Sequence, residues 1–253
     1  MNWFRVNTHK FSTECINLGA LFAIIEALSR GLLKGNVMQD NMNYQSKDRR
    51  PIPARKNPLS QRAAGFLARV GVSANAISIL SLVFGLTAGA SLAWNATDPA
   101  ARIWWALAAI LILLRLLANM LDGMVAMETG KTSAVGELFN EIPDRVSDVA
   151  IFIGAGFAAH SSIHAGYAAA VLSLFVAYVR ALGNQMGVVG LLIGPMSKHH
   201  RMFTLIAICL FYALAPSNWQ SLPLLTWGLW TINIGAVVTI LLRIRHIVRR
   251  MSS

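Results

Sequence analysis

The stretch of sequence that decides the fold is residues 119–148, NMLDGMVAMETGKTSAVGELFNEIPDRVSD, which connects two apolar segments. It holds six of the chain's eleven acidic residues. Acidic side chains at membrane depth are costly unless they face a cavity or a partner, so this concentration indicates a functional site. A solvated connecting loop is the alternative interpretation, and it suits Glu128 and Glu137.

The polar residues in and before this stretch repeat at helical spacing. Asn119 and Asp122 are three residues apart and Arg115 precedes Asn119 by four, so the three share one helix face. A second face carries a residue at every fourth position: Gly136, Asn140, Asp144 and Asp148. Two such stripes facing each other at the cytoplasmic membrane surface make an oxygen cage suited to Mg²⁺ or another hard cation. The small residues Gly123, Ala126 and Gly136 leave room for a ligand, which we expect to be phosphorylated.

The composition of the whole chain excludes an ordinary soluble protein. Of its 253 residues, 55% are hydrophobic and 13% are charged, whereas an average soluble domain has roughly 25% charged residues. Residues 70–97, 149–179 and 202–242 contain no Asp, Glu, Lys or Arg, and runs of that length indicate helices that cross a bilayer. The predicted fold class is therefore an all-α polytopic membrane protein. Its six predicted spans lie at about 76–95, 103–121, 140–160, 165–183, 201–215 and 224–242.

The net charge of +11 follows from the topology of such a protein and does not indicate a nucleic-acid partner. Lys and Arg gather at the ends of the predicted spans that share one side of the membrane, and Arg102 is the exception on the other side. The positive-inside rule then places both termini in the cytoplasm. We accordingly expect a multi-pass protein of the cell (inner) membrane with its active site at the cytoplasmic face.

Three segments organise the chain. Residues 1–56 form an N-terminal cytoplasmic extension, residues 57–245 a six-helix transmembrane domain, and residues 246–253 a basic C-terminal tail. Within the extension, the apolar stretch near residues 15–25 is short and flanked by charges, which favours an interfacial amphipathic helix. A signal peptide and a later start at Met38 or Met42 are the alternatives for this stretch.

The polar stripes also carry a resemblance to a known family. Asn119-Met-Leu-Asp122-Gly123-Met-Val-Ala126-Met127, followed after eight residues by Gly136, Asn140 and Asp144, resembles the signature of CDP-alcohol phosphatidyltransferases. That signature is D-x-x-D-G-x-x-A-R, eight residues, then G-x-x-x-D-x-x-x-D, and the spacing agrees throughout. Residues 72–78, 178–181 and 194–201 are similar to further segments of the family, so the resemblance covers about residues 57–245.

The resemblance implies a reaction and a set of residue roles. A CDP-linked lipid or alcohol, such as CDP-diacylglycerol, transfers its substituted phosphate group to the hydroxyl of an acceptor alcohol, and CMP is released. Family members bind one or two Mg²⁺ or Mn²⁺ ions, and the resemblance also suggests a homodimer. The roles carried over are Asn119, Asp122, Asn140 and Asp144 for metal; Asp144 as catalytic base; Gly123, Ala126, Gly136 and Asn75 for nucleotide; Arg180, Lys198 and Arg201 for phosphate or acceptor; and Glu141, Asp148, Lys131 and Arg115 as auxiliary residues.

Three signature positions depart from the family. Asn119 and Asn140 stand where the family has aspartates, and Met127 stands where it has an arginine. An asparagine offers a carbonyl oxygen but removes a negative charge, so metal affinity should fall and a second ion becomes doubtful. Glu141 or Asp148 could restore charge. The missing arginine could be replaced by Lys131 or Arg115.

Two other functions stay open at this point. A catalytically impaired relative would bind nucleotide or lipid without turnover, and a small transporter would use the intramembrane charges differently. Lys198 and Arg201 also have a simpler interpretation as anchors to anionic headgroups. The acceptor could be glycerol phosphate, an inositol phosphate, serine or another alcohol, because no residue pattern identifies that pocket.

Overall fold

The computed structural model describes residues 57–95, 102–130, 134–216, 219 and 221–252, with only the backbone at residues 134–137 and 139. All regular structure within these residues is helical, which confirms the predicted all-α class. The predicted interfacial helix near residues 15–25 lies outside the described residues. The described helices are α1 (Pro58–Val70), α2 (Ala74–Trp94), α3 (Arg102–Glu128), α4 (Ala134–Phe157), α5 (Ile163–Gln185), α6 (Lys198–Leu214) and α7 (Leu224–Met251).

Each predicted span coincides with one of the helices α2 to α7. Among the described helices, α2, α3, α5 and α7 are long and apolar enough to cross a membrane by length and composition. The helix α4 carries acidic and basic residues in its first half, and α6 has only 17 residues. The membrane class therefore stands, whereas the count of six spans and the cytoplasmic location of both termini remain predictions.

The helix α1 is not predicted by hydropathy, although both of its ends carry local signals. The side chain of Asn57 caps it by accepting a hydrogen bond from the backbone N–H of Leu59 at 3.0 Å, and Pro58 is its first residue. Gly71 follows it with a φ of 84°, a left-handed conformation that glycine adopts without strain. Ala64 is buried where α1 packs on α3. Its exposed residues combine apolar Leu59 and Phe66 with basic Arg62 and Arg69, as on a helix that lies at a membrane interface.

Helices α2 to α7 pack as a closed ring of neighbours. The helix α2 packs between α3 and α4; α4 packs on α5, α5 on α7, α7 on α6, and α6 on α3. The backbones of α3 and α4 are rarely close to each other, because both helices pack against α2. Their polar side chains, together with those of α6, extend into the interior of the ring and meet there.

Glycines bring α2 and α4 into backbone contact. A Cβ atom added to Gly85 would lie 2.5 Å from the Cβ of Ser147, and one added to Gly89 would overlap the backbone of Ala150. Gly154 meets the backbone of Gly89 in the same way. Side chains at these positions would force the helices apart, because packed helices have no spare volume between them. This contact sets the depth at which α4 presents its acidic residues.

Candidate active site

The polar stripes of α3 and α4 meet at Asn119 and Asp144. The Nδ2 of Asn119 donates to Oδ1 of Asp144 at 2.5 Å, and the Oδ1 of Asn119 accepts from the hydroxyl of Ser81 on α2 at 2.5 Å. Both ends of the amide are therefore satisfied. A carboxylate at position 119 would place a second negative oxygen against Asp144, so the asparagine matches the charge of its surroundings.

Asp122 lies one turn further along α3 and is also buried. Its Oδ2 accepts from the hydroxyl of Ser78 at 2.8 Å, and its Oδ1 accepts from the backbone N–H of Gly123 at 2.5 Å. In the part of the chain that the structure describes, no basic side chain donates to this carboxylate. Each oxygen retains a lone pair, which makes Asp122 the most available carboxylate of the site for a cation.

Arg115 is the buried countercharge of the site. Its side chain is 0% exposed, and one terminal nitrogen donates to Oδ1 of Asp144 and Oδ1 of Asp148, both at 2.6 Å, and to the carbonyl of Asp144 at 3.0 Å. A buried guanidinium is tolerated only when its charge is compensated in this way. These inward contacts favour a countercharge over the predicted contact to nucleotide phosphates.

Asp144 is surrounded by four side-chain donors. Its Oδ1 accepts from Arg115, Asn119 and the Nζ of Lys198. Its Oδ2 accepts from Arg145 at 2.7 Å. These contacts compensate the charge of the buried carboxylate and crowd Oδ1 with three donors, whereas Oδ2 keeps one acceptor direction open.

Asp148 and Arg201 lie beside Asp144, deeper in the ring. Asp148 has no exposed side-chain surface, and its Oδ2 is 3.7 Å from nitrogens of both Arg145 and Arg201. The guanidinium of Arg201 stacks above the ring of Phe152 at 5.9 Å and is almost fully buried. Its Nε and its other terminal nitrogen have no hydrogen-bond partner among the described residues. Buried nitrogens of Arg115 and Arg145 also lack a partner there. Buried donors without partners are rare, so this group of arginines points to a bound polar group.

Acidic and basic side chains balance in this site. Four acidic residues, Asp122, Glu141, Asp144 and Asp148, accompany four basic ones, Arg115, Arg145, Lys198 and Arg201. Several buried donors of the arginines have no hydrogen-bond partner among the described residues, which suits an anionic ligand such as a phosphate.

The other predicted residues are dispersed around this cluster. Gly123 and Ala126 are half-buried on α3, and Asn75 is exposed in the first turn of α2. Asn140 and Arg180 are half-buried, and neither has a hydrogen-bond or ion-pair partner within the described residues. Glu141 is exposed and pairs with Arg145 at 2.9 Å. Gly136 is described by its backbone alone, and Lys131 lies outside the described residues.

The start of α6 is held in place by residues that the sequence analysis did not assign to the site. Arg243 on α7 is buried and donates to the carbonyls of Val176 at 2.7 Å and Ile193 at 3.3 Å. The hydroxyl of Thr239 accepts from the backbone N–H of Met196 at 3.1 Å. These bonds fix the loop before α6 and thereby the position of Lys198. The sequence showed Arg243 only as one of several basic residues after the last span.

Family membership follows from comparison with known proteins. A profile of the CDP-alcohol phosphatidyltransferase family matches residues 71–244. The chain belongs to this family, which confirms the family predicted from the signature. It is therefore a membrane transferase of phospholipid synthesis that moves a substituted phosphate group from a CDP-linked alcohol.

The chain is also similar to individual named proteins of bacteria and archaea. The chain is 28% identical over 188 residues to a phosphatidylinositol phosphate synthase of Streptomyces avermitilis, covering 72% of this chain and 74% of that protein. It is 31% identical over 152 residues to an archaetidylinositol phosphate synthase of Aeropyrum pernix, covering 59% and 73%. It is 27% identical over 161 residues to the inner membrane protein YnbA of Escherichia coli, covering 64% and 78%.

Solved structures share the fold. The phosphatidylinositol phosphate synthase of Mycobacterium tuberculosis with CDP-DAG bound superimposes with a TM-score of 0.64 at 21% identity, covering 76% of this chain and 94% of that chain. Its complex with manganese and citrate gives a TM-score of 0.63 at 23% identity, covering 74% and 88%. At this identity the superpositions establish the architecture and carry no residue roles.

Proposed function

We propose that this protein transfers the phosphatidyl group of CDP-diacylglycerol, or of a similar CDP-linked lipid, to the hydroxyl of a phosphorylated polyol, at the cytoplasmic face of the cell membrane. The observation that carries the proposal is the buried centre in which carboxylates of α3 and α4 lie beside basic side chains of α3, α4 and α6. Two relatives are named as synthases of inositol phosphate lipids, which supports a phosphorylated acceptor.

The oxygen donors of the site fit one divalent ion. Asp122 retains lone pairs on both oxygens, and the amide of Asn140 has no hydrogen-bond partner in the described part of the chain. Asn119 and Asp144 complete the donor set predicted from the signature. Within the described residues no three Asp, Glu, His or Cys side chains form a metal-binding group, as expected where amides replace two carboxylates. Mg²⁺ or Mn²⁺ bound there would neutralise charge on the pyrophosphate.

The protein's own residues supply the remaining functions. The acceptor oxygen forms a bond to the phosphorus that carries the lipid, the bond from that phosphorus to the CMP oxygen breaks, and CMP leaves. The Oδ2 of Asp144, which accepts from Arg145 alone among the described residues, takes the hydroxyl proton. Arg201 offers unpartnered N–H groups to the acceptor's phosphate, with Lys198 one turn before it and Arg180 on α5 as further cations.

A binding protein without turnover is the second candidate. The observation that favours it is the engagement of Asp144 by four donors, three of them basic, which compensates its charge and leaves only one acceptor direction open, on Oδ2. Such a protein would bind the CDP-linked lipid and release no CMP.

An assay with radiolabelled CDP-diacylglycerol and Mg²⁺ separates the two candidates. The full-length protein in lipid nanodiscs is offered inositol 1-phosphate and glycerol 3-phosphate, with inositol, glycerol and serine as unphosphorylated controls. We expect CMP and a new lipid only with a phosphorylated acceptor. Binding of the CDP-linked lipid without CMP release from any acceptor would favour the binding protein, and equal turnover of unphosphorylated alcohols would refute the acceptor class.

A further inference from the structure

We propose that Lys198 and a divalent cation exchange at Asp144, and that the displaced ammonium group then binds the acceptor's phosphate. Cation binding and phosphate binding would thereby be coupled through one side chain. The phosphate half of this inference rests on the proposed function, whereas the exchange at Asp144 concerns the geometry of the site alone.

The first step is the crowding of Asp144. Three nitrogen donors, from Arg115, Asn119 and Lys198, converge on its Oδ1, and Arg145 contacts its Oδ2. A carboxylate oxygen offers about two good acceptor directions. A cation can therefore reach Oδ1 of Asp144 only in exchange for one of the three donors on that oxygen.

The second step identifies the donor that leaves. Arg115 is fully buried and also holds Asp148, while the amide of Asn119 is fixed at its other end by Ser81. Arg145 pairs with other acidic residues of its own helix. Lys198 differs from these, because its ammonium group has Asp144 as its single hydrogen-bond partner among the described residues. Its side chain is 20% exposed at the first position of α6 and has a flexible stem, so it can swing away while the backbone stays in place.

The third step concerns the destination of the ammonium group. Lys198 and Arg201 are three residues apart on α6 and therefore share a face of that helix. Arg201 has two nitrogens without hydrogen-bond partners in the described part of the chain. A phosphate bound there would gain the ammonium group as a further charge-assisted donor. Because coupling between two binding events is reciprocal, phosphate should tighten cation binding by the same factor as the cation tightens phosphate binding.

A role for Lys198 as a membrane anchor does not account for these contacts. An anchoring lysine extends its charge towards lipid headgroups. The ammonium group of Lys198 instead points into the ring and contacts Asp144.

The exchange is tested by Mn²⁺ titration of the full-length protein in nanodiscs, with free Mn²⁺ followed by electron paramagnetic resonance. The variant Lys198→Met removes the competing charge and keeps the length of the side chain. We expect it to bind Mn²⁺ roughly tenfold more tightly than the unaltered protein, as loss of one close competing charge predicts. Arg245→Met is the matched control, since it removes one charge from an exposed position at the end of α7 and should leave Mn²⁺ affinity unchanged.

The coupling is tested by repeating the titration with inorganic phosphate, after correction for the Mn²⁺–phosphate complex in a protein-free blank. Phosphate should tighten Mn²⁺ binding to the unaltered protein and have little effect on Lys198→Met. The proposal is overturned if Lys198→Met binds Mn²⁺ no more tightly, if phosphate affects both proteins equally, or if neither protein binds Mn²⁺. Failure of the CMP-release assay alongside the expected Mn²⁺ results would refute the proposed function and leave the exchange intact.

Discussion

Replacement of Arg115 by methionine should be the most destabilising single change in the charged cluster. The variant leaves Asp144 and Asp148 buried without the guanidinium that donates to both at 2.6 Å. Removing one partner of a buried ion pair costs about 3–5 kcal/mol, because the remaining charge is left uncompensated. For a domain of this size that corresponds to a fall in melting temperature of about 6–20 °C.

A second variant separates lost charge compensation from lost packing. Adding Asp148→Asn to Arg115→Met removes one uncompensated negative charge. The double variant should therefore regain about 2 kcal/mol or more of stability relative to Arg115→Met alone. Thermal unfolding in detergent, followed by tryptophan fluorescence, measures all three proteins, with Arg245→Met as an exposed control. A loss of less than about 1 kcal/mol in Arg115→Met, or no recovery in the double variant, would show that Arg115 is not the countercharge.

Three further outcomes are expected. Asp144→Asn should abolish CMP release and, because three basic side chains lose a charged partner, lower stability by about 1–3 kcal/mol; measurable CMP release would exclude Asp144 as the base. Asn119→Asp should destabilise the protein in EDTA and tighten Mg²⁺ binding, so that Mg²⁺ raises its melting temperature more than that of the unaltered protein; an equal effect of Mg²⁺ would place residue 119 outside the metal site. Gly89→Ala should destabilise the protein by about 1–3 kcal/mol, because its Cβ meets the backbone of Ala150. Gly65→Ala on α1, whose Cβ meets nothing within 4 Å, is the matched control and should be neutral or slightly stabilising, and equal losses from both changes would contradict the close packing of α2 and α4.

Local features of the sequence predict the helices and the polar stripes. The charge-free runs correspond to helices, and the regular spacing places Asn119 and Asp122 on one face of α3 and Asp144 and Asp148 on one face of α4, because helical periodicity is a local property. The contact between the stripes depends on α2, whose glycines and serines set the distance between α3 and α4. That distance is a property of three helices together and has no local signal.

The charge balance of the site could not be predicted in the same way. Lys198 and Arg201 follow Asp144 by more than fifty residues, and only the packing of α6 against α3 brings them to it. As basic residues at the end of a span they match the positive-inside pattern, so composition alone gives no reason to separate them from anchoring residues. The helix α1 was missed for a different reason. Both of its ends carry clear sequence signals, but its polar and apolar residues average out in a hydropathy window, so the hydropathy profile does not show the helix.

The guanidinium of Arg115 constrains how this centre can be re-engineered. Because it already compensates two carboxylates, the four-aspartate form of the signature cannot be rebuilt by exchanging Asn119 and Asn140 alone without changing the total charge around Arg115. A design for a second metal site therefore has to substitute Asn119, Asn140 and Arg115 at the same time. Libraries that vary these positions independently would consist mostly of charge-mismatched variants.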